Sequence, residues 1–201
     1  NILKLKLKGK SLMRMRRKKN LDEKLLALKN LTVKHSEERD YRKAAENPEY
    51  LDFEKIFKNN NPVHLEVGCG KGQFAFEIAQ QNPNINFLAV EKSENVIFAA
   101  CKKCENLSNV YFLNSGAEYL PKYIKPASIS RIYLNFSCPF PKKSYASHRL
   151  TATHFLKIYD GLMTKDAEIH QKTDNRGFFE FSLEKFSDYG FALKNISLDL
   201  H

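Results

Sequence analysis

The stretch Val63-His64-Leu65-Glu66-Val67-Gly68-Cys69-Gly70-Lys71-Gly72 decides the fold. Its first five residues predict a short buried strand over 63–67. Glycines then stand at 68, 70 and 72, where the backbone can turn tightly and approach a ligand closely. Residues 73–81 follow with Phe74, Phe76 and Ile78 at helix-compatible positions. A strand that runs through glycines into a helix is the opening unit of a nucleotide-type α/β fold.

Reading outward from this unit, the chain keeps alternating. Strands are predicted over 86–91, 110–114, 130–136 and 167–173, with helices over 95–107, 150–163 and 178–189. The segment 191–200 alternates weakly and reads as a last strand. Strands alternating with helices imply a mostly parallel central sheet with helices on both faces, a Rossmann-like α/β fold. Upstream, Asn20 stands where an N-cap is expected, with Asp22 and Glu23 behind it and Leu21, Leu25 and Leu28 at helical spacing. Residues 34–60 are densely charged, with Tyr41, Tyr50, Phe53 and Phe57 as anchors, and read as short helices or loops. Asn59-Asn60-Asn61-Pro62 ends that segment. Three parts result: a flexible basic tail (1–20), a helical or irregular extension (21–61) and the α/β domain (62–201).

Charge divides the chain in the same way. Its 201 residues carry a net charge of +10, and residues 1–20 hold nine of the 33 basic side chains and no acid. The body is therefore nearly neutral. A block of like charge either solubilises the chain or binds a polyanion, and Arg14, Arg16, Arg17, Lys18 and Lys19 are the strongest such block. Lysines interrupt every apolar stretch from Ile2 to Leu12, so no signal peptide is expected. No apolar run reaches the length of a membrane span. Four cysteines without framework spacing suit a reducing cytoplasm.

The compressed spacing of Gly68, Gly70 and Gly72 differs from the dinucleotide fingerprint, because Gln73 stands where the third glycine would be. It is the form found in S-adenosylmethionine methyltransferases. Glu66 would set a carboxylate near that ligand's ammonium or sulfonium. Glu91 ends the second strand of the unit, where a carboxylate accepts hydrogen bonds from both ribose hydroxyls. After the strand at 130–136, the run Ser137-Cys138-Pro139-Phe140-Pro141-Lys142-Lys143 leaves the sheet at its carboxyl end. Two prolines stiffen it around an aromatic ring. From Ser137 to Thr151 there is no acid, while Lys142, Lys143, His148 and Arg149 are present. Such a loop suits an extruded base and its phosphates.

At these motifs the sequence resembles the bacterial tRNA (guanine-N7-)-methyltransferases. The resemblance rests on Met13-Arg14-Met15-Arg16, residues 65–72, Ala89 to Ser93, Leu113-Asn114 through Ala117, and Tyr133 to Ser137 with Pro139 to Lys143. It extends to Arg149-Leu150-Thr151 and Ile169 to Asn175. It implies a class I methyltransferase fold, S-adenosylmethionine as cofactor, and 7-methylguanosine in the variable loop of tRNA as product. It also implies that Glu66, Glu91 and Asn114 line the cofactor pocket together with Gly68 and Gly70, and that Lys142 and Asp174 contact substrate. Ser144, Tyr145, Ala146, Ser147, His148 and Arg149 would touch RNA. The family carries Asp at the position of Cys138, a residue assigned to catalysis and to the cofactor pocket, and Trp at the position of Phe140. The family continues past His201 to a Thr-x-Tyr-Glu segment that helps to bind the base.

Guanine N7 carries an in-plane lone pair, so no proton must be removed before attack, and positioning is the main demand. A carboxylate at position 138 would support the developing ring cation. A thiol is a weak donor and a weak acceptor there. Two readings follow: a working tRNA methyltransferase, or a homologue that binds cofactor and RNA with lost or altered catalysis. Methylation of an exocyclic base amine is a third and lesser one. Cys101 and Cys104 are half of a zinc pattern with no second pair, and the six histidines show no ligand spacing, so no metal is expected.

Overall fold

The computed structural model describes residues 17–33 and 38–198. Six strands form one wholly parallel sheet: β1 (Leu31–Val33), β2 (Val63–Val67), β3 (Asn86–Val90), β4 (Val110–Leu113), β5 (Ile129–Asn135) and β6 (Met163–Lys172). Their order is β1-β4-β3-β2-β5-β6. Around them lie α1 (Leu21–Leu26), α2 (Tyr41–Glu46), α3 (Phe53–Phe57), α4 (Gln73–Gln81), α5 (Glu94–Lys103), α6 (Leu120–Tyr123), α7 (Thr153–Leu162) and α8 (Arg176–Tyr189). From β2 the chain first builds outward through β3 and β4, then returns to add β5 and β6 on the other side. The crevice at such a reversal, beyond the carboxyl ends of the strands, is where α/β sheets take ligands.

Both faces of the sheet are covered because both sets of alternating side chains are apolar. Val63, Leu65 and Val67 join Leu88, Val90, Leu113, Ile132 and Leu134 on one face, under Phe155, Leu156 and Tyr159 of α7 and Phe186 of α8. Phe87, Ala89, Val110 and Phe112 face the other way, under Leu21 and Leu25 of α1, Ala75 and Ala79 of α4, and Ile97, Ala100 and Cys101 of α5. Each large side chain buried in these layers contributes about 1.5–3 kcal/mol.

Several expectations change. The stretch 21–61 is not helix and loop alone, because β1 lies within it and extends the sheet beside β4. Asn30 secures that strand: its side chain donates to the Cys101 carbonyl (2.9 Å) and its own carbonyl accepts from Phe112 (2.8 Å). Three residues in a charged region leave too little pattern to be seen beforehand. Asn20 precedes α1 but sits in the left-handed region (φ 53°), and its side chain caps nothing. Side-chain caps are supplied instead by Asp40, Asp52 and Asn175, each with extended backbone. The helix expected at 150–163 begins at Thr153, because Thr151 is buried against Ser182 (2.9 Å). β6 begins at Met163, four residues early, since its half-exposed polar residues hid the pattern.

The last strand expected at 191–200 is absent among the described residues. Gly190 (φ 102°) ends α8 with a left-handed turn, and the Phe191 amide bonds back to Phe186 (3.0 Å). The expected flexible tail falls mostly on residues 1–16, which lie outside the described residues, as do His35 and His201. Its last residues are held. Arg17 pairs with Asp22 (2.6 Å) and Glu94 (3.0 Å), and Lys18 lies 4.6 Å over the Phe98 ring.

Gly72 is a position where the backbone passes close to a neighbouring helix. Its φ is 74°, and a Cβ there would stand 2.8 Å from the Ala100 Cβ and 3.0 Å from the Ala100 Cα. Gly72→Ala combines left-handed strain with a clash against backbone, so it should lower stability by about 2–4 kcal/mol. Urea denaturation of the two proteins checks this. An unchanged midpoint would mean that α4 and α5 are not packed as described.

Candidate active site

The carboxyl ends of β2, β3 and β4 bring Glu66, Glu91 and Asn114 to one edge of the sheet. Glu66 is only 5% exposed. Its Oε1 accepts one long hydrogen bond, from the Asn135 side chain at 3.4 Å, and its Oε2 is buried without a partner. Burial therefore pushes the Glu66 carboxyl up to about 7, with the Asn135 hydrogen bond opposing weakly. The glycine turn follows. Gly68 and Cys69 both donate to the Val90 carbonyl (2.8 and 2.9 Å), so the turn is tied to the end of β3. Gly68, Gly70 and Gly72 all have positive φ, which explains the three glycines. A Cβ at Gly70 would meet nothing within 4 Å, so open space lies in front of that backbone.

Glu91 braces the turn from across the edge. Its Oε2 accepts from the Gly70 amide (3.3 Å) and its Oε1 from the Ser93 amide (2.9 Å). Asn114 is 1% exposed; its side-chain amide donates to the Glu91 carbonyl (2.8 Å). That bond fixes the amide's orientation and leaves Asn114 Oδ1 buried with no partner. Two buried acceptors, Glu66 Oε2 and Asn114 Oδ1, thus stand without donors on either side of Glu91. Unpaired buried acceptors are costly, so this edge is poorly satisfied by the chain itself.

Cys138 and Asp174 follow β5 and β6, which are paired up to Asn135 and Lys172, so both are exposed at the same edge. Phe136 carries the pairing one step further by donating to the Lys172 carbonyl (2.8 Å). The basic loop folds back on itself. Arg149 donates to the carbonyls of Pro139 (2.9 Å) and Phe140 (3.1 Å) and lies 4.4 Å over the Phe181 ring. Its guanidinium is thus engaged inside the loop. Phe140 and Tyr145 both lie against His148, at 5.6 and 5.8 Å between ring centres. Lys142, Ser144, Tyr145, Ser147 and His148 are exposed, and Ala146 is half-buried.

Two residues of the site carried no expectation. Asn135 is the sole hydrogen-bond donor to Glu66 among the described residues, and the Ser137 Oγ is buried without a partner. Both lie inside a motif that was singled out, but only the sheet register brings Asn135 against Glu66. Cys101 and Cys104 are buried thiols, pushed up to about 12 and about 11 chiefly by desolvation. Among the described residues no group of three or more His, Cys, Asp or Glu side chains could hold a metal ion. No helix among them is long and apolar enough to cross a membrane. A separate cavity of about 470 Å³ between α1 and α5, lined by Lys24, Leu28, Phe98 and Lys102, holds none of the groups above.

Comparison with known proteins agrees with this geometry. A family model described as a putative methyltransferase matches residues 60–199. The chain is 49% identical over 148 residues to the tRNA (guanine-N(7)-)-methyltransferase of Bacillus subtilis (strain 168), covering 73% of this chain and 70% of that one. It is 41% identical over 191 residues to the protein of that name from Geobacillus sp. (strain WCH70), covering 94% and 82%. Among solved structures it resembles an antibiotic-related methyltransferase (TM-score 0.54, 20% identity, 70% and 74% covered). It also resembles the 16S rRNA methyltransferase KamB (TM-score 0.51, 18% identity, 71% and 75% covered). At such low identity these two attest the class I methyltransferase fold alone.

The buried carboxylate has a measurable consequence for stability. Glu66 has an ordinary value of 4.5 and a folded value of about 7, so between these the folded protein binds more protons than the unfolded. Its contribution is then least unfavourable near pH 4.5 and worsens as pH rises to 7. Glu66→Gln should be more stable than the parent at pH 8 by about 2–4 kcal/mol, at ~1.4 kcal/mol per pH unit of displacement. Near pH 4.5 that gain should vanish. Urea denaturation at both pH values tests it, and a difference independent of pH would refute the raised value.

Proposed function

We propose a residue-level mechanism from one premise: the chain belongs to the family of bacterial tRNA (guanine-N7-)-methyltransferases. It is an enzyme that uses S-adenosylmethionine to methylate guanine N7 in tRNA. When bound, that cofactor supplies an electrophilic methyl group on a sulfonium centre. The residues present suit it, and the observation that carries the assignment is the glycine turn at the carboxyl edge of the sheet, open in front of Gly70 and braced by Glu91. In this reading Glu66 lies near the ligand's ammonium, and Asn114 lies near the adenine edge. Glu91, held by the Gly70 and Ser93 amides, keeps its remaining lone pairs for the ribose hydroxyls. Gly68 and Gly70 keep the turn clear of side-chain atoms where the ligand lies closest. A cation beside Glu66 favours its carboxylate form, so cofactor binding releases a proton at neutral pH.

The chemistry demands little beyond alignment. The N7 lone pair forms the new bond to carbon while the electron pair of the broken carbon–sulfur bond stays on sulfur, and the positive charge passes to the purine. No proton moves to or from N7, so the chain needs no general base. Its task is to exclude water and hold the base in line. Asp174, exposed beside Cys138, reads the N–H groups of the guanine edge. Lys142, Ser144, Tyr145, Ala146, Ser147 and His148 follow the tRNA backbone, and Arg149 braces their loop. The basic residues up to Arg16 extend the phosphate contacts. A cytoplasmic location suits a tRNA substrate.

Cys138 stands where the family carries Asp, and positioning suffices without that carboxylate. Nucleoside mass spectrometry after incubation with unmodified tRNA and labelled cofactor should give 7-methylguanosine. In single-turnover transfer, Cys138→Ala should cost little. Cys138→Asp should accelerate transfer by roughly 5- to 150-fold, since one carboxylate beside a developing cation contributes about 1–3 kcal/mol. An inert wild type with an active Cys138→Asp would favour the reading of a binding protein with lost catalysis.

A further inference from the structure

We propose that Phe136 is the stacking face for the target purine. The proposal rests on the guanine-N7 reading and adds to it the residue that holds the base. Phe136 is strained, exposed and well placed at once. Its φ is 47°, in the left-handed region that a bulky aromatic residue avoids. Its ring is 65% exposed. Yet the backbone here is not a loose loop: the Phe136 amide continues the β5–β6 ladder onto the Lys172 carbonyl at 2.8 Å. Strained residues in a firmly held backbone gather at functional sites.

The neighbours of Phe136 lie at the carboxyl edge of the sheet. Asn135, one residue before, bonds to the buried carboxylate of Glu66, and Ser137, one residue after, has a buried hydroxyl without a partner. Cys138 follows. Phe140, the other aromatic residue with positive φ, has its ring against His148. No aromatic ring among the described residues lies against Phe136. It therefore presents an apolar face to water at the lip of the cofactor crevice, in a conformation that the chain maintains at a cost.

A purine is the ligand whose chemistry suits this face. Base–aromatic stacking is strong and needs no hydrogen-bond partner. Methylation at N7 also makes the ring cationic, and an aromatic face attracts a cation more than a neutral ring. The stack tightens as charge passes onto the base. An interaction that is stronger in the transition state than in the ground state is the kind that lowers the barrier.

The test compares Phe136→Leu, which keeps bulk and loses the π face, with Phe136→Tyr, which keeps both. Single-turnover transfer at saturating tRNA should fall about tenfold or more in the leucine variant and stay near wild type in the tyrosine variant. Affinity for tRNA, dominated by phosphates, should change by less than about threefold in both. Cofactor affinity and thermal midpoint should hold. A leucine variant that transfers like wild type would overturn the proposal, and so would a parallel loss of cofactor affinity, which marks a purely structural role. A second arm uses 7-methylguanosine 5′-monophosphate, whose fluorescence reports stacking. Wild type and Phe136→Tyr should quench it, and Phe136→Leu should bind it about fivefold more weakly or less well still. Equal quenching by all three would refute stacking. A wild type that forms no 7-methylguanosine would remove the activity reading, and this nucleotide arm would still decide the role of Phe136.

Discussion

Everything at the ligand edge hangs on the passage of the backbone from β2 to α4 within five residues. The parallel sheet ends all its strands on one side, so the chain must turn back over an edge crowded by its neighbours. A Cβ on residue 72 would stand 2.8 Å from the Ala100 Cβ, and the first residues of the turn are tied to Val90. Only glycine tolerates both the positive φ and that proximity. The turn in turn sets the Gly70 amide against Glu91, which orients the carboxylate, and Glu91 offers its carbonyl to Asn114. A chain of contacts thus runs from helix packing through Gly70 to Glu91 and Asn114.

The same edge is where the protein gives up stability. A carboxylate that is 5% exposed with one 3.4 Å hydrogen bond is poorly solvated, and Asn114 leaves an oxygen unpaired beside it. A fold selected for stability alone would carry amide or apolar groups here. In the proposed mechanism a cation bound near Glu66 offsets part of that cost. Arg149 shows the opposite use of charge. Its guanidinium is consumed by two loop carbonyls and the Phe181 face, so it makes the basic loop rigid and leaves the neighbouring lysines to face outward.

Much of this was legible in the chain. Residues 63–67 and 73–81 form the strand and helix expected of them, because Val63, Leu65 and Val67 alternate, Phe74 and Ile78 stand four apart, and the glycines punctuate the two. Glu91 is one residue past its strand for the same reason. What escaped was set by contacts remote in sequence. β1 exists because Asn30 reaches Cys101 and Phe112, and three residues carry no period of their own. The weak alternation after Phe191 was misleading, since Gly190 turns the chain back onto α8 and Asn195 (φ 52°) interrupts extended backbone. Asn135 could be quoted as part of a motif but given no task until β2 and β5 stood side by side.

Cys138 follows from the same division of labour. In the proposed mechanism the groups assigned to the cofactor sit at the ends of β2, β3 and β4, while those assigned to the base sit beyond β5 and β6. The first set is buried and coupled, so a change in one member disturbs the turn as well as the ligand. The second set is exposed, and each member can change without loosening the core. N7 methylation needs no proton transfer, so in the proposed mechanism a carboxylate at position 138 would be an electrostatic aid to a reaction that proceeds by alignment. An O- or N-methylation that depended on a base at residue 138 would not survive the same replacement. A thiol at this position is therefore compatible with the activity because of where the fold puts it and because of which atom is methylated.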